Sequence, residues 1–116
     1  MTVETVQATL LAAGAVTAIA GTRVHQVQRI QSDALPAVVL TQVSAVPQNH
    51  LYGAPTLDSV RVQVDCYAAT RTQCRQLADA TRDALEAAGL DMELEAESFE
   101  PDVSEFRITQ DFLTWT

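Results

Sequence analysis

A chain of 116 residues with 47% hydrophobic side chains can fill one packed core, and its size predicts a single domain over residues 1–116. Aromatic residues make up only 5%, so that core must be aliphatic and alanine-rich. The net charge of −8, with seven arginines and no lysine, disfavours a nucleic-acid binder, because phosphate backbones are held by clustered cations.

Val3, Val6, Leu10 and Ala13 recur at helical spacing, with Thr2 placed to cap the first turn. Gly14 interrupts this helix, and AVTAIAG adds a further turn or two that ends at Gly21. The weakly polar run LLAAGAVTAIAG is too short to span a bilayer, and no basic segment precedes it, so no membrane partner or secretory signal is expected. Residues 23–28 alternate weakly and read as a short edge strand.

Residues 37–46, AVVLTQVSAV, follow Pro36 and are rich in β-branched side chains, the composition of a strand. The clearest alternation is SVRVQVDCY. Val60, Val62, Val64 and Cys66 point one way, and Arg61, Gln63, Asp65 and Tyr67 point the other. The connecting stretch VPQNHLYGAPTL combines the turn formers Pro47, Asn49, Gly53 and Pro55 with Leu51 and Tyr52, which makes it the extended tip of a long hairpin. On the residues alone two readings of the tip stand level: Leu51 and Tyr52 fold back to cap their own core, or they anchor another protein.

Thr70 and Gln73 have capping-box spacing and open a helix. Cys74, Leu77, Ala78, Thr81, Ala84, Leu85 and Ala88 form its stripe, Arg and Asp or Glu cover the rest, and Gly89 ends it. Beyond it, Met92, Leu94 and Ala96 oppose Asp91, Glu93, Glu95 and Glu97, a strand with one acidic face. SFEPD is the turn, and EFRITQDFLTW the last strand. Phe106, Ile108 and Phe112 lie on one face of it, and Arg107, Thr109, Asp111, Leu113 and Trp115 on the other.

Helix, hairpin, helix, hairpin predicts an α+β domain: a mainly antiparallel sheet of four to five strands with two helices packed on one face. The other face, carrying Arg61, Gln63, Asp65, Tyr67 and the glutamates, is polar and broad enough to meet another subunit.

Little in the sequence points to catalysis. Cys66 and Cys74 match no metal spacing and read as small buried side chains. No nucleophile elbow, phosphate loop or paired histidine motif occurs, and no cofactor is expected. The alternating Glu93, Glu95 and Glu97 read as a solvated face rather than an acid–base pair. A non-enzymatic protein follows, with a small-molecule-binding regulatory domain as an alternative from another class.

LPAVVLTQVSAVPQN, DSVRVQVDCYAATRTQCRQLADATRDALEAAG and FRITQDFLTWT together resemble the tail terminator, tail-completion or head–tail joining proteins of tailed phages and prophages. The resemblance covers nearly the whole chain and rests on a pattern rather than on an invariant motif. It implies a virion protein, assembled in the host cytoplasm, that forms a ring, usually of six copies, on the head-proximal end of the tail tube. Such a ring stops tube polymerisation and joins tail to head. A head-completion or connector adaptor is the alternative of the same class. The implied partners are further copies of the chain, the tail tube protein and the head connector or head-completion protein. Sequence-specific nucleic acid is not among them, although DNA passes through the ring. Gln48, Asn49, His50, Leu51, Tyr52, Arg61, Gln63 and Asp65 are then the candidate interface residues, and Glu93, Glu95 and Glu97 the candidate channel lining, where their charge repels passing DNA.

Overall fold

A computed structural model describes residues 3–26, 35–48, 57–101 and 104–115. Its elements in chain order are α1 (Val3–Ala12), α2 (Gly14–Ala20), β1 (Val24–Gln26), β2 (Ala37–Gln48), β3 (Leu57–Ala68), α3 (Arg71–Ala87), β4 (Asp91–Glu100) and β5 (Glu105–Trp115). The strands form one sheet in the order β1-β2-β3-β5-β4, antiparallel throughout except for β1, which runs parallel to β2. This is the predicted α+β fold, with the N-terminal helix broken in two at Ala13 and bent by 86°. No single helix among the described residues is long and apolar enough to cross a membrane.

All three helices lie against one face of the sheet. Val3, Val6 and Leu10 of α1, Val16 and Ala20 of α2, and Cys74, Leu77, Ala78 and Leu85 of α3 join Val38, Leu40, Val60, Val62, Val64, Cys66, Ile108 and Phe112 in one core. The pattern follows from alternation: Cys66 stands opposite Val38 and Ile108, and Val62 opposite Phe112, so the helix side is apolar at the centre of the sheet, while the row through Val64 passes on to Gln110 and Glu95. Gln7 of α1 ties this layer to the edge strand, donating to the Val24 carbonyl at 2.7 Å and accepting from Gln26 Nε2 at 2.7 Å.

The ends of α3 are set by local chemistry. The Thr70 hydroxyl accepts from the Gln73 amide at 3.2 Å, as the capping spacing predicts. At the other end Gly89 takes φ +96°. The Gly89 amide bonds the Glu86 carbonyl, and the Leu90 amide bonds that of Leu85, both at 3.0 Å. This Schellman arrangement leaves Leu85 and Leu90 buried together.

Three boundaries differ from the expected ones. β2 and β3 are longer than their alternating cores, β2 running to Gln48 and β3 starting at Leu57. β4 continues through Glu100, so Ser98 and Phe99 are strand rather than turn. Ala88, at the end of the helix stripe, is exposed. Thr2, Asn49, His50, Leu51 and Tyr52, and the side chains of Gln48 and Trp115, lie outside the described residues.

The larger correction concerns the acidic strand. Glu93, Glu95 and Glu97 do not share a face, because a β-bulge shifts the register between Met92 and Leu94. Beyond the bulge, Glu95 stands opposite Gln110 and Glu97 opposite Ile108, on the helix side. Leu94 stands opposite Asp111 and Ala96 opposite Thr109, on the open side. One inserted residue therefore exchanges the faces of everything that follows it. A second register shift, between Gln42 and Ser44 of β2, sits at the same level: Gln42 pairs with Val62, which pairs with Phe112, which pairs with Met92. Both outer long strands thus carry an extra residue on one line across the sheet.

Candidate assembly surface

On the helix side, α3 reaches over β5 to the acidic strand. Arg75 donates to Glu95 at 2.5 Å and to Asp79 at 2.8 Å, and its other nitrogen lies 3.5 Å from Glu97. Arg71 meets Glu97 at 3.1 Å. Beneath these pairs a buried polar chain runs inward. Gln110 Nε2 donates to Glu95 Oε1 at 3.1 Å and to the Ala78 carbonyl at 2.9 Å, and Thr81 Oγ1 donates to Gln110 Oε1 at 2.9 Å. Gln110 and Thr81 are fully buried, so these bonds satisfy groups that water cannot reach. Burial alone would raise the Glu95 carboxyl, but hydrogen bonds from Arg75 and Gln110 outweigh it and hold it below the ordinary glutamate value. The Arg75 bond acts on its donor as well: Arg75 is held above its usual value chiefly by its hydrogen bond to Glu95.

On the open side the candidate interface residues divide. Arg61 is about one-third exposed and pairs with Glu93 at 2.6 Å. Gln63 is half-buried and donates to Asp65 Oδ2 at 2.9 Å. Asp65 itself is only 4% exposed. Its Oδ1 accepts from Thr109 Oγ1 at 2.6 Å and from Arg107 Nε at 3.1 Å. The Arg107 guanidinium also lies 5.8 Å from the centre of the Tyr67 ring. Asp65 therefore knits β3 to β5, and alternation alone could not distinguish that from a carboxylate presented to a partner.

The exposed apolar side chains complete the surface: Leu94 (59%), Val43 (52%), Phe99 (48%) and Leu11 (38%). Phe99 packs on Phe106 with ring centres 4.7 Å apart. These two rings, Cys74 and Ile108 floor a groove of about 170 Å³ whose rim includes Arg71, Glu97 and Arg107. Sequence reasoning missed Leu94 and Phe99 as surface residues, because unbroken alternation puts Leu94 inside and a turn at SFEPD hides Phe99. It also passed over Gln110, whose position midway between Ile108 and Phe112 was the available signal for a core-facing polar group.

The two cysteines are free and buried. Burial pushes the Cys66 thiol up to about 12 and the Cys74 thiol up to about 11. Cys66 lies 3.6 Å from the Thr81 hydroxyl, and the Cys74 thiol donates to the Cys66 carbonyl at 3.2 Å. Such thiols are not activated nucleophiles. They pack as the spacing suggested.

Comparison with known proteins gives this architecture a place. A chain from a solved structure of the "virion of native gene transfer agent (GTA) particle" superimposes with a TM-score of 0.74 at 22% identity, over 93% of this chain and 88% of that one. At that identity the likeness is one of fold. A search of the curated proteins gave no match. The family described as "Tail completion protein gp17" matches residues 4–116, from the first turn of α1 past the end of β5. The chain belongs to this family and is a structural tail-completion protein of the phage virion.

Proposed function

We propose that the protein caps the head-proximal end of the tail tube as a ring of identical copies, ends tube polymerisation there and joins the tail to the head. The observation that carries this reading is the family match over residues 4–116. The surface is compatible with it. Closed rings use heterologous contacts, so each copy needs two unlike lateral patches. The open sheet side, with Arg61, Gln63 and exposed Leu94, and the helix side, with the Phe99–Phe106 groove and Arg71, are unlike in this sense. The partners in this reading are further copies, six in the expected ring, the tube protein and the head connector. The chain itself carries no catalytic step.

The hairpin tip, with Gln48, Asn49, His50, Leu51 and Tyr52, serves as the axial contact in this proposal. The lumen role of Glu93, Glu95 and Glu97 takes a narrower form. Glu93 lies on the open side and Glu95 and Glu97 on the helix side, so only one set can line a channel; each is paired with an arginine, and uncompensated charge comes from exposed groups such as Asp91. Negative-stain microscopy of the purified protein, alone and mixed with tail tubes, tests the reading. Rings, or capped tubes of uniform length, are expected; a monodisperse monomer that ignores tubes would overturn it.

A further inference from the structure

We propose that neighbouring copies join by their sheet edges: β4 of one copy pairs with residues 41–48 of β2 in the next, so that a single antiparallel sheet runs around the ring. The proposal rests on the ring reading above and adds how its subunits meet.

Both edges are open among the described residues. Among the described residues β4 pairs only with β5, and β1 covers only Val38–Leu40 of β2, leaving residues 41–48 with β3 as their sole partner. These edges of eight to ten residues present amides and carbonyls, broken at Pro47 and at the two bulges, that can pair with another strand.

Strand parity favours this joint. From β2 through β3 and β5 to β4 the direction reverses at every step. Four alternating strands place β4 opposite in direction to β2, so a copy added in the same orientation brings its β2 antiparallel to the β4 before it. An odd number would have forced the less stable parallel ladder. Charge favours the same choice. β4 carries Asp91, Glu93, Glu95, Glu97 and Glu100, whereas residues 41–48, TQVSAVPQ, carry no charge. Two β4 edges set side by side would stack carboxylates; β4 beside β2 does not.

The register follows from β1. Thr41, Gln63, Asp111 and Leu94 form one row across the sheet. Continued straight, that row would drive residues 95–97 of an incoming β4 into β1. Sliding the incoming strand until its Ser98 faces Thr41 seats residues 91–98 along 41–48. The offset is four residues per four-stranded copy, or one per strand. An eight-stranded barrel closes at that same ratio, with strands tilted about 36°. In this register Leu94 lies one diagonal step from Val43 across the joint, and these are the two most exposed large aliphatic side chains of the described surface.

The test is a disulfide register scan in the full chain. Thr41→Cys is combined in turn with Leu94→Cys, Ala96→Cys and Ser98→Cys, all on the open side, while the native Cys66 and Cys74 stay buried. Oxidation of the ring-forming protein, alone or with tail tubes, should yield a covalent ladder strongest for Ser98→Cys and weakest for Leu94→Cys. Hydrogen exchange on the unmodified protein gives a second reading, with amides of 41–48 and 91–98 gaining protection on assembly. Rings seen by microscopy without any ladder or added protection would overturn the edge joint and leave the ring reading standing. Dimers from Thr41→Cys alone would also overturn it, since they report β2 against β2. Absence of rings and of capped tubes would remove the ring reading and this joint with it.

Discussion

Gln110 occupies the place where a core of aliphatic side chains gives way to a polar chain. Its amide serves three partners at once: the Ala78 carbonyl, the Thr81 hydroxyl and the Glu95 carboxylate. Gln110→Ala leaves these groups under-satisfied beside a new void, and the expected loss is about 2 kcal/mol. A drop in urea midpoint at unchanged slope is the measurement. Glu95 predicts a pH dependence. Its folded pKa lies below its unfolded one, so its contribution is fully present above the ordinary carboxylate range and is lost as pH falls through the depressed folded value. Urea midpoints should therefore fall on acidification below about pH 4, the range of the unfolded glutamate, and Glu95→Gln should flatten part of that fall. An identical acid limb in the variant would show that other carboxylates carry it.

The elements were legible in proportion to how local their causes are. The α3 cap at Thr70, its stop at Gly89 and the alternation of Val60, Val62, Val64 and Cys66 depend on a few neighbouring residues, and all were readable. Gly89→Ala must hold a Cβ at φ +96°, at a cost of about 1–2 kcal/mol, visible as a thermal midpoint lowered by several degrees. The β4 bulge was not readable. Whether Leu94 or Glu95 faces inward depends on Arg75 and Gln110 waiting beneath Glu95, a tertiary condition that alternation cannot encode. Deleting Glu93 removes the extra residue while leaving Leu94 opposite Asp111 and Glu95 opposite Gln110, within reach of Arg75. The deletion should therefore lower the thermal midpoint about as much as Glu93→Ala, since both lose the partly exposed pair with Arg61, and a much larger drop would show that the bulge itself is needed.

For the whole molecule, the order helix, hairpin, helix, hairpin was enough to reach the architecture, and the resemblance was enough to reach the family. The assembly surface was harder. Asp65 looked like a free polar group and is a buried tie between strands, while Leu94 looked internal and is the most exposed large apolar side chain described. Those errors share a cause, since a single chain's sequence records the polarity of a residue but not what lies across the sheet from it. Exchanging Leu51 and Tyr52 for serine should leave the circular dichroism spectrum and melting midpoint nearly unchanged and abolish head–tail joining in an assembly assay. A variant that unfolds would instead assign the two side chains to their own core.

The paired bulges have a geometric consequence. β2 and β4 each spend one residue more than β3 and β5 over the same span, at the same level. A surface whose margins are longer than its middle cannot lie flat, nor can it roll into a simple cylinder; it takes the form of a saddle. Any body resting on the open side must be hollowed along one axis and bulging along the other, which selects partners by shape before any side chain touches them.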